Sequence, residues 1–412
     1  MMLKVLSLIL CFISLASFCD VVGDRKNRLK VEYGSINING KFYNLDPNFK
    51  RGKFSVVFPF IAKRIFEMIF GGGAERRRCD FEIVKFDEES YKKKNPTNKI
   101  TWIGHSTFLV QMDGVNFLTD PIFSMKAGPF GNKIGSKRYV PPALEIKQLP
   151  KIDFVIISHN HYDHLDISSL KKIVELNPEV KIFIPLGVKK LFDEEGIGKN
   201  AVELDWWDEF EFKGLKIIFT PTQHFSGRWL NDSNESLWGG YVVVGSRRFY
   251  FAGDTGYFFG FKLIGDVLGP FDIVCLPIGA YEPAEMMRPV HMNPEEAVKA
   301  YLDLKGKIFC AMHWGTFDLS DERCDEPPRR LLEHVKKLNL DEGNFKVFKH
   351  GETMEWEVCF LSFYVLNLQC LSLFFNGYVD PWGCFPFWEA ESIPLEPDLG
   401  NASVGKRVVI EG

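Results

Sequence analysis

The segment Ser158-His159-Asn160-His161-Tyr162-Asp163-His164-Leu165-Asp166 sets three imidazoles and a carboxylate within six residues, directly after the apolar run Phe154 to Ile157. The whole chain has nine histidines, and a solvated loop has no physical reason to collect three of them. Imidazole nitrogen and carboxylate oxygen are the donors that borderline cations such as Zn²⁺ take, so the loop reads as a metal-binding one. One loop cannot fill two coordination shells, and the missing ligands are expected at other strand ends. His224 follows the run Leu215 to Phe219, Asp254 follows Phe249 to Ala252 and Gly253, and His313 closes Ile308 to Met312. Each of these alone reads more readily as a capping or core residue; together they form a coherent donor set. Metal-assisted hydrolysis is the chemistry such a set points to, with the substrate left open.

The elements that must position these groups are short β-rich runs. Ile100 to Ile103, Phe108 to Met112 and, after the Asp113-Gly114 turn, Val115 to Leu118 predict consecutive antiparallel strands. Phe154 to Ile157 and Ile182 to Ile184 are further strands. Asp166 is placed to cap a helix carrying Leu170, Ile173 and Val174, and Val188 to Glu195 forms a short helix closed by Gly196. The second half repeats the pattern, with strands at Leu215 to Phe219, Tyr241 to Val244, Phe249 to Ala252, Ile273 to Leu276 and Ile308 to Met312. Asn293 and Pro294 open a helix over Glu295 to Leu304, and Arg329 to Leu338 is a last amphipathic helix. Two strand sets, each followed by helices, predict an α/β protein with two sheets face to face and helices outside.

With 412 residues, 46% hydrophobic and 25% charged, the chain can bury a large core. Fifty basic against fifty-four acidic residues give a net charge of −4, which offers no electrostatic reason to bind nucleic acid. Nine cysteines without a CxxC pair argue against a zinc ribbon or a thioredoxin motif, and Cys275 and Cys310 fall in runs read as buried strands, so extensive disulfide pairing is not expected.

The ends are apolar. Lys4, the uncharged run Val5 to Cys19 and then Asp20 have the pattern of a secretory signal peptide over residues 1–19, with a buried N-terminal helix as the competing reading. Residues 20–98 form an N-terminal extension. Within it Phe54 to Phe70, followed by three glycines and Arg76-Arg77-Arg78, fits either a membrane-interface segment or a core helix beside a solvated basic loop. After a hydrolase domain over 99–357, the C-terminal extension 358–412 contains an uncharged stretch over 358–379. That stretch is read as a membrane anchor, a packed helix or sequence outside the folded unit. Export or membrane association is the expected localisation.

The HxHxDH loop, with the later His224, the Asp254 of a Gly-Asp-Thr turn and His313, resembles the metallo-β-lactamase superfamily. More narrowly, Thr101 to Thr107, Leu118 to Phe123, Ser158 to Asp166, Pro277 to Pro283 and His313 to Phe317 resemble the N-acylphosphatidylethanolamine-hydrolysing phospholipases D, over about Lys99 to Trp356. The resemblance implies an αββα sandwich of two mixed sheets with outer helices. It also implies two Zn²⁺ ions, one on His159, His161 and His224, the other on Asp163, His164 and His313, with Asp254 bridging. The implied reaction is attack on a phospholipid at a membrane surface by a hydroxide held between the ions. Asp254 and His291 are then the catalytic residues, with Tyr162 and His291 lining the substrate site. This chain has Val290 where the family has Gln before that histidine. His105 is expected behind the ligands, because both shells are already filled. A lactonase or a soluble phosphodiesterase on the same fold is the alternative activity, a non-catalytic metal-binding or docking protein a further alternative, and homodimerisation stays open.

Overall fold

In the computed structural model the described residues are 34–70, 79–92, 97–229 and 231–356. The apolar runs over 5–19 and 358–379 lie outside them. The chain divides into two compact units, residues 1–355 and 356–412, and all that follows belongs to the first.

Among the described residues two seven-stranded sheets form the body of that unit, with two further sheets of two strands each. The first runs in the order Ala201–Leu204, Lys181–Pro185, Phe154–Ile156, Val115–Thr119, Thr107–Met112, Lys99–Gly104, Thr353–Glu355. Its first four strands pair in parallel and the remaining pairings are antiparallel. The second runs Glu209–Phe212, Leu215–Thr220, Gly240–Val244, Arg248–Phe251, Phe271–Pro277, Gly306–Met312, Phe345–Lys346. Here the first four strands are antiparallel and the last four parallel. Both sheets are therefore mixed, as expected.

Period-two alternation decides what each strand gives to either face. Phe117, Phe154 and Phe183 point from the first sheet toward the second, where they meet Phe249, Phe212 and Phe210 at ring separations of 5.5, 6.1 and 5.2 Å. Their neighbours Leu118, Val155, Ile182 and Ile184 face the opposite way, into a cluster with Leu170 and Ile173 of helix Ile167–Leu176 and with Phe192 of helix Lys189–Glu194. Strands covered on both faces read as continuous apolar runs, which is why they were visible in the sequence. On the second sheet, helix Pro294–Asp303 packs on strands Phe271–Pro277 and Gly306–Met312, with helices Gly260–Val267 and Glu326–Lys337 against it. The last helix starts three residues before its expected Arg329, because Pro327 and Pro328 occupy its first turn, where a missing N–H costs nothing.

The segment Phe54–Phe70 is a helix, fastened to the domain by charge. The Arg64 guanidinium donates to both carboxylate oxygens and to the carbonyl of Asp318, and Lys63 pairs with Asp321. Among the described residues no helix is long and apolar enough to cross a membrane. Among the described residues a disulfide joins Cys79 to Cys324, while Cys275 and Cys310 are free and buried on adjacent strands, as expected.

Candidate metal centre

All the expected ligands come together at one end of the two sheets. Strand Phe154–Ile156 stops at Ser158, and the chain then turns, with His164 N–H and Leu165 N–H both donating to the His161 carbonyl. Asp166 caps helix Ile167–Leu176 through Ser168 N–H, and its carboxylate also accepts from the hydroxyls of Ser124 and Ser169. The loop is thus pinned at both ends, with His159 and His164 buried and His161 partly so.

Three nitrogens form a first group. His159 Nε2 is 2.8 Å from His161 Nδ1, which is 3.2 Å from His224 Nε2. Like-charged rings at such separation cannot all be protonated, and burial lowers all three, His161 to about 3. A second group joins Asp163, His164 and His313 with His105. Asp163 Oδ2 is 3.4 Å from His164 Nε2 and 3.5 Å from His313 Nε2.

Asp254 stands between the groups. Its Oδ2 lies 3.1 Å from His164 Nε2 and from His313 Nε2, 3.9 Å from His224 Nε2 and 4.0 Å from His159 Nε2. Burial alone would raise its pKa, but His164 and His313 hold it well below the usual carboxylate range. Despite these approaches, Asp254 Oδ1, His164 Nε2 and both ring nitrogens of His313 are buried without a hydrogen-bond partner. Buried polar atoms are nearly always satisfied. Orphaned lone pairs converging from a set of imidazole nitrogens and carboxylate oxygens fit a metal, and the absence of thiolate fits Zn²⁺ or another borderline divalent ion.

Other atoms set the orientation of each ligand. His159 Nδ1 contacts Ser158 Oγ at 2.8 Å, and His224 Nδ1 donates to the Val290 carbonyl at 2.9 Å, which leaves Nε2 of each facing the site. The carbonyl of Val290 therefore supports the centre whatever its side chain. His105, which the structure groups with Asp163, His164 and His313, is bonded to one of them. Its Nε2 is 2.9 Å from Asp163 Oδ2, and its backbone carbonyl accepts the His313 N–H. His105, Asp120, Ala280 and His313 all have φ between 35° and 62°, a left-handed backbone that costs non-glycine residues about 1–3 kcal/mol each and clusters at functional sites.

Sequence reasoning assigned no role to three supporting residues. Asp120 is fully buried and accepts from Ser158 N–H, Ser158 Oγ and His164 Nδ1 at 2.7, 2.5 and 2.6 Å. Asn44, in the N-terminal extension, brackets His224 by accepting its N–H and donating to its carbonyl. Arg228 donates to the carbonyls of Asn160 and Leu165 and lies 4.0 Å over the ring of Tyr162. Asp120 did lie in a quoted motif, but Asn44 acts across 180 residues of chain and carries no local signal.

His291 is placed on the partly open side. Its Nδ1 is 3.8 Å from Asp254 Oδ2, and its ring stacks on His313 at 5.3 Å. Burial lowers its pKa to about 4, with Asp254 pulling the other way. Tyr162 has its hydroxyl donated to the Arg228 carbonyl and its ring under the guanidinium.

Comparison with known proteins agrees with this geometry. The profile of the beta-lactamase superfamily domain matches residues 115–314. The chain is 42% identical over 267 residues to N-acyl-phosphatidylethanolamine-hydrolyzing phospholipase D 1 of Caenorhabditis elegans, spanning 62% of this chain and 75% of the relative. It is 31% identical over 362 residues to the mitochondrial N-acyl-phosphatidylethanolamine-hydrolyzing phospholipase D of Saccharomyces cerevisiae, spanning 77% of this chain and 75% of that one. Among solved structures, isothiocyanate hydrolase from Delia radicum gut bacteria superposes with a TM-score of 0.51 at 25% identity, over 62% of this chain and 98% of the other.

Proposed function

The chain belongs to the metallo-β-lactamase superfamily and is a metal-dependent hydrolase, and from that premise we propose a zinc-dependent phosphodiesterase of the phospholipase D type, which splits N-acylphosphatidylethanolamine into N-acylethanolamine and phosphatidic acid. The observation that carries the reading is the single Asp254 oxygen within 4.0 Å of nitrogens from both donor groups. Two-metal hydrolases keep their cations ~3.5–4 Å apart, a spacing one shared carboxylate serves. His159, His161 and His224 would hold one Zn²⁺, Asp163, His164 and His313 the other, and Asp254 both. When bound, such ions acidify water and draw charge from phosphoryl oxygens.

The chain's own residues orient and protect. Asp254 remains ionised between the two groups, and Asp120, Ser158 and the Val290 carbonyl hold His164, His159 and His224 with Nε2 turned inward. His291, on the open side and neutral near pH 7 with its pKa lowered to about 4, would turn a ring N–H toward the phosphoryl oxygens and stabilise the charge that develops there, while the departing ethanolamine oxygen takes its proton from solvent. The names of the worm and yeast relatives support a phospholipid at a membrane surface as the substrate. Export or membrane association is supported by the run Val5 to Cys19 and by the Cys79–Cys324 disulfide, since disulfides persist in oxidising compartments.

A panel of phospholipids and soluble diesters, each with and without chelator, tests the reading. Metal analysis should find two zinc-type ions per chain, and ¹⁸O from labelled water should enter phosphatidic acid. Label in the N-acylethanolamine, or a strong preference for short soluble diesters or lactones, would overturn it.

A further inference from the structure

Two loop tips beside the metal-binding loop carry large apolar side chains that the fold leaves in water. One is the hairpin of strands Lys126–Ala127 and Ser136–Lys137, with Phe130 at its tip and Met125 at its entry, 56% and 54% exposed. The other carries Trp229, 50% exposed, and the Phe130 and Trp229 rings meet edge to face at 6.0 Å. Neither tip is a loose end. Phe130 is held at φ 57°, the Asn132 side chain closes the hairpin by accepting Gly128 N–H, and buried Arg138 anchors its base by donating to the Ser124 and Ile122 carbonyls. The Asp232 carboxylate accepts the backbone N–H groups of Arg228 and Trp229. Arg228 in turn grips the carbonyls of Asn160 and Leu165, on either side of His161, Asp163 and His164.

The charge around this pair has one sign along the hairpin. From Pro121 to Leu144 the chain has Lys126, Lys133, Lys137 and Arg138 and neither Asp nor Glu. Arg138 is consumed internally and Lys126 donates to the Lys133 carbonyl, while Lys133 and Lys137 are exposed. Rigid exposed aromatic rings backed by lysines are what an anionic lipid surface rewards, because apolar insertion and headgroup attraction act together. Exposed apolar side chains gathered at one place mark an interaction surface more often than scattered ones do.

We propose that Phe130 and Trp229, with Met125 beside them and Lys126, Lys133 and Lys137 behind, form the face that seats the metal centre on an anionic lipid surface. This rests on the reading of a phospholipid substrate and specifies which surface meets the membrane. The test is co-sedimentation of the full chain with phosphatidylcholine vesicles, with and without phosphatidylserine. The Phe130→Ser/Trp229→Ser variant should bind both kinds about tenfold or more weakly, since insertion of both rings is lost. Lys133→Gln/Lys137→Gln should lose about fivefold per lysine, and only where phosphatidylserine is present. Both variants should keep wild-type metal content and melting temperature. In the folded wild type, brominated acyl chains should quench a part of the tryptophan emission that Trp229→Phe removes while vesicle binding persists.

Unchanged binding of the serine variant, or no difference in quenching between wild type and Trp229→Phe, would overturn the proposal. Lysine variants indifferent to phosphatidylserine would overturn its anionic part. A serine variant that loses self-association but not vesicle binding would assign the face to a second copy of the chain instead. Vesicle binding that depends on the pair, without hydrolysis of any phospholipid, would leave the docking face standing and bring down the reaction assignment.

Discussion

Replacing Asp120 by Asn should disable the metal centre without touching a ligand. In the native protein Asp120 accepts three hydrogen bonds and donates none, from Ser158 N–H, Ser158 Oγ and His164 Nδ1. An amide keeps the shape but has one accepting end. If its oxygen stays on Ser158 N–H, the NH₂ group faces His164 Nδ1, and the imidazole must move its proton to Nε2, the nitrogen turned toward Asp254 and Asp163. If the amide flips, its NH₂ opposes Ser158 N–H in a fully buried place, and the two unsatisfied donors cost about 1–3 kcal/mol each. The unflipped amide avoids that clash and is the arrangement expected, and it weakens the second donor group. Partners of this kind are worth about 10–100-fold in metal affinity or activity, which is ~1.4–2.8 kcal/mol. Competition against a chromophoric chelator should show one metal weakened by that factor while the ion on His159, His161 and His224 stays near wild type, and kcat should fall in parallel. An Asn variant that binds both metals as wild type and turns over within twofold of it would refute the argument that Asp120 fixes the His164 tautomer.

Gly253→Ala should also impair metal binding: at φ +61° its Cβ would lie 2.4 Å from Ser158 Cβ, and left-handed backbone costs alanine about 1–2 kcal/mol more. Chelator competition should show both metals weakened, because Ser158 and Asp254 are displaced together. Breaking the disulfide with Cys79→Ser/Cys324→Ser should lower the free energy of unfolding by about 2–5 kcal/mol in urea, and dithiothreitol should do the same to the wild type but not to the variant. Burial, with Arg138 adding to it, lowers the pKa of His350 from 6.5 to about 3, so below pH 6.5 the unfolded chain takes up a proton that the folded chain refuses. The stability it contributes is complete above that pH and falls by ~1.4 kcal/mol per unit as pH drops toward 4. Urea titrations should find His350→Phe less steep than wild type by that slope over this window.

The site was legible because its ligands are local features of strand ends. A strand covered on both faces must be a continuous apolar run, so the place where polarity resumes is marked in the sequence, and Ser158, His224, Asp254 and His313 all follow such a place. The strands that escaped notice lack that mark. Glu209–Phe212 is an edge strand whose glutamates are exposed, Ala201–Leu204 is half-exposed at the other sheet's edge, and Thr353–Glu355 is only three residues long. Helix Gly260–Val267 opens on a glycine and carries a second at Gly265, where a Cβ would lie 2.1 Å from the Asp303 carbonyl. Close packing, not helix propensity, chose that residue.

What the sequence could not display is the bracing, because it acts across the chain and through groups that any loop can supply. Asn44 grips the backbone of His224, Phe81 packs edge-on against Trp314 next to His313, and Cys79 is tied to Cys324, 245 residues away. Asn44, Cys79 and Phe81 lie in the N-terminal extension, upstream of the stretch from about Lys99 to Trp356 that carries the family resemblance. Around His313 the backbone is also held by Ile278 N–H on the Met312 carbonyl, Tyr139 N–H on the Thr316 carbonyl and His105 N–H on Thr316 Oγ1. Neither ring nitrogen of His313 is hydrogen-bonded, its backbone is left-handed, and its N–H rests on the carbonyl of His105, itself left-handed. A ligand so held keeps its place only if the surroundings over-determine it. Phe81, edge-on to Trp314, and Trp314, stacked on Trp102, add to that constraint at ring distances of 5.6 and 5.2 Å. Phe81 therefore braces the chain beside His313 without approaching the centre as a ligand, and the Cys79–Cys324 disulfide ties its own segment to the domain.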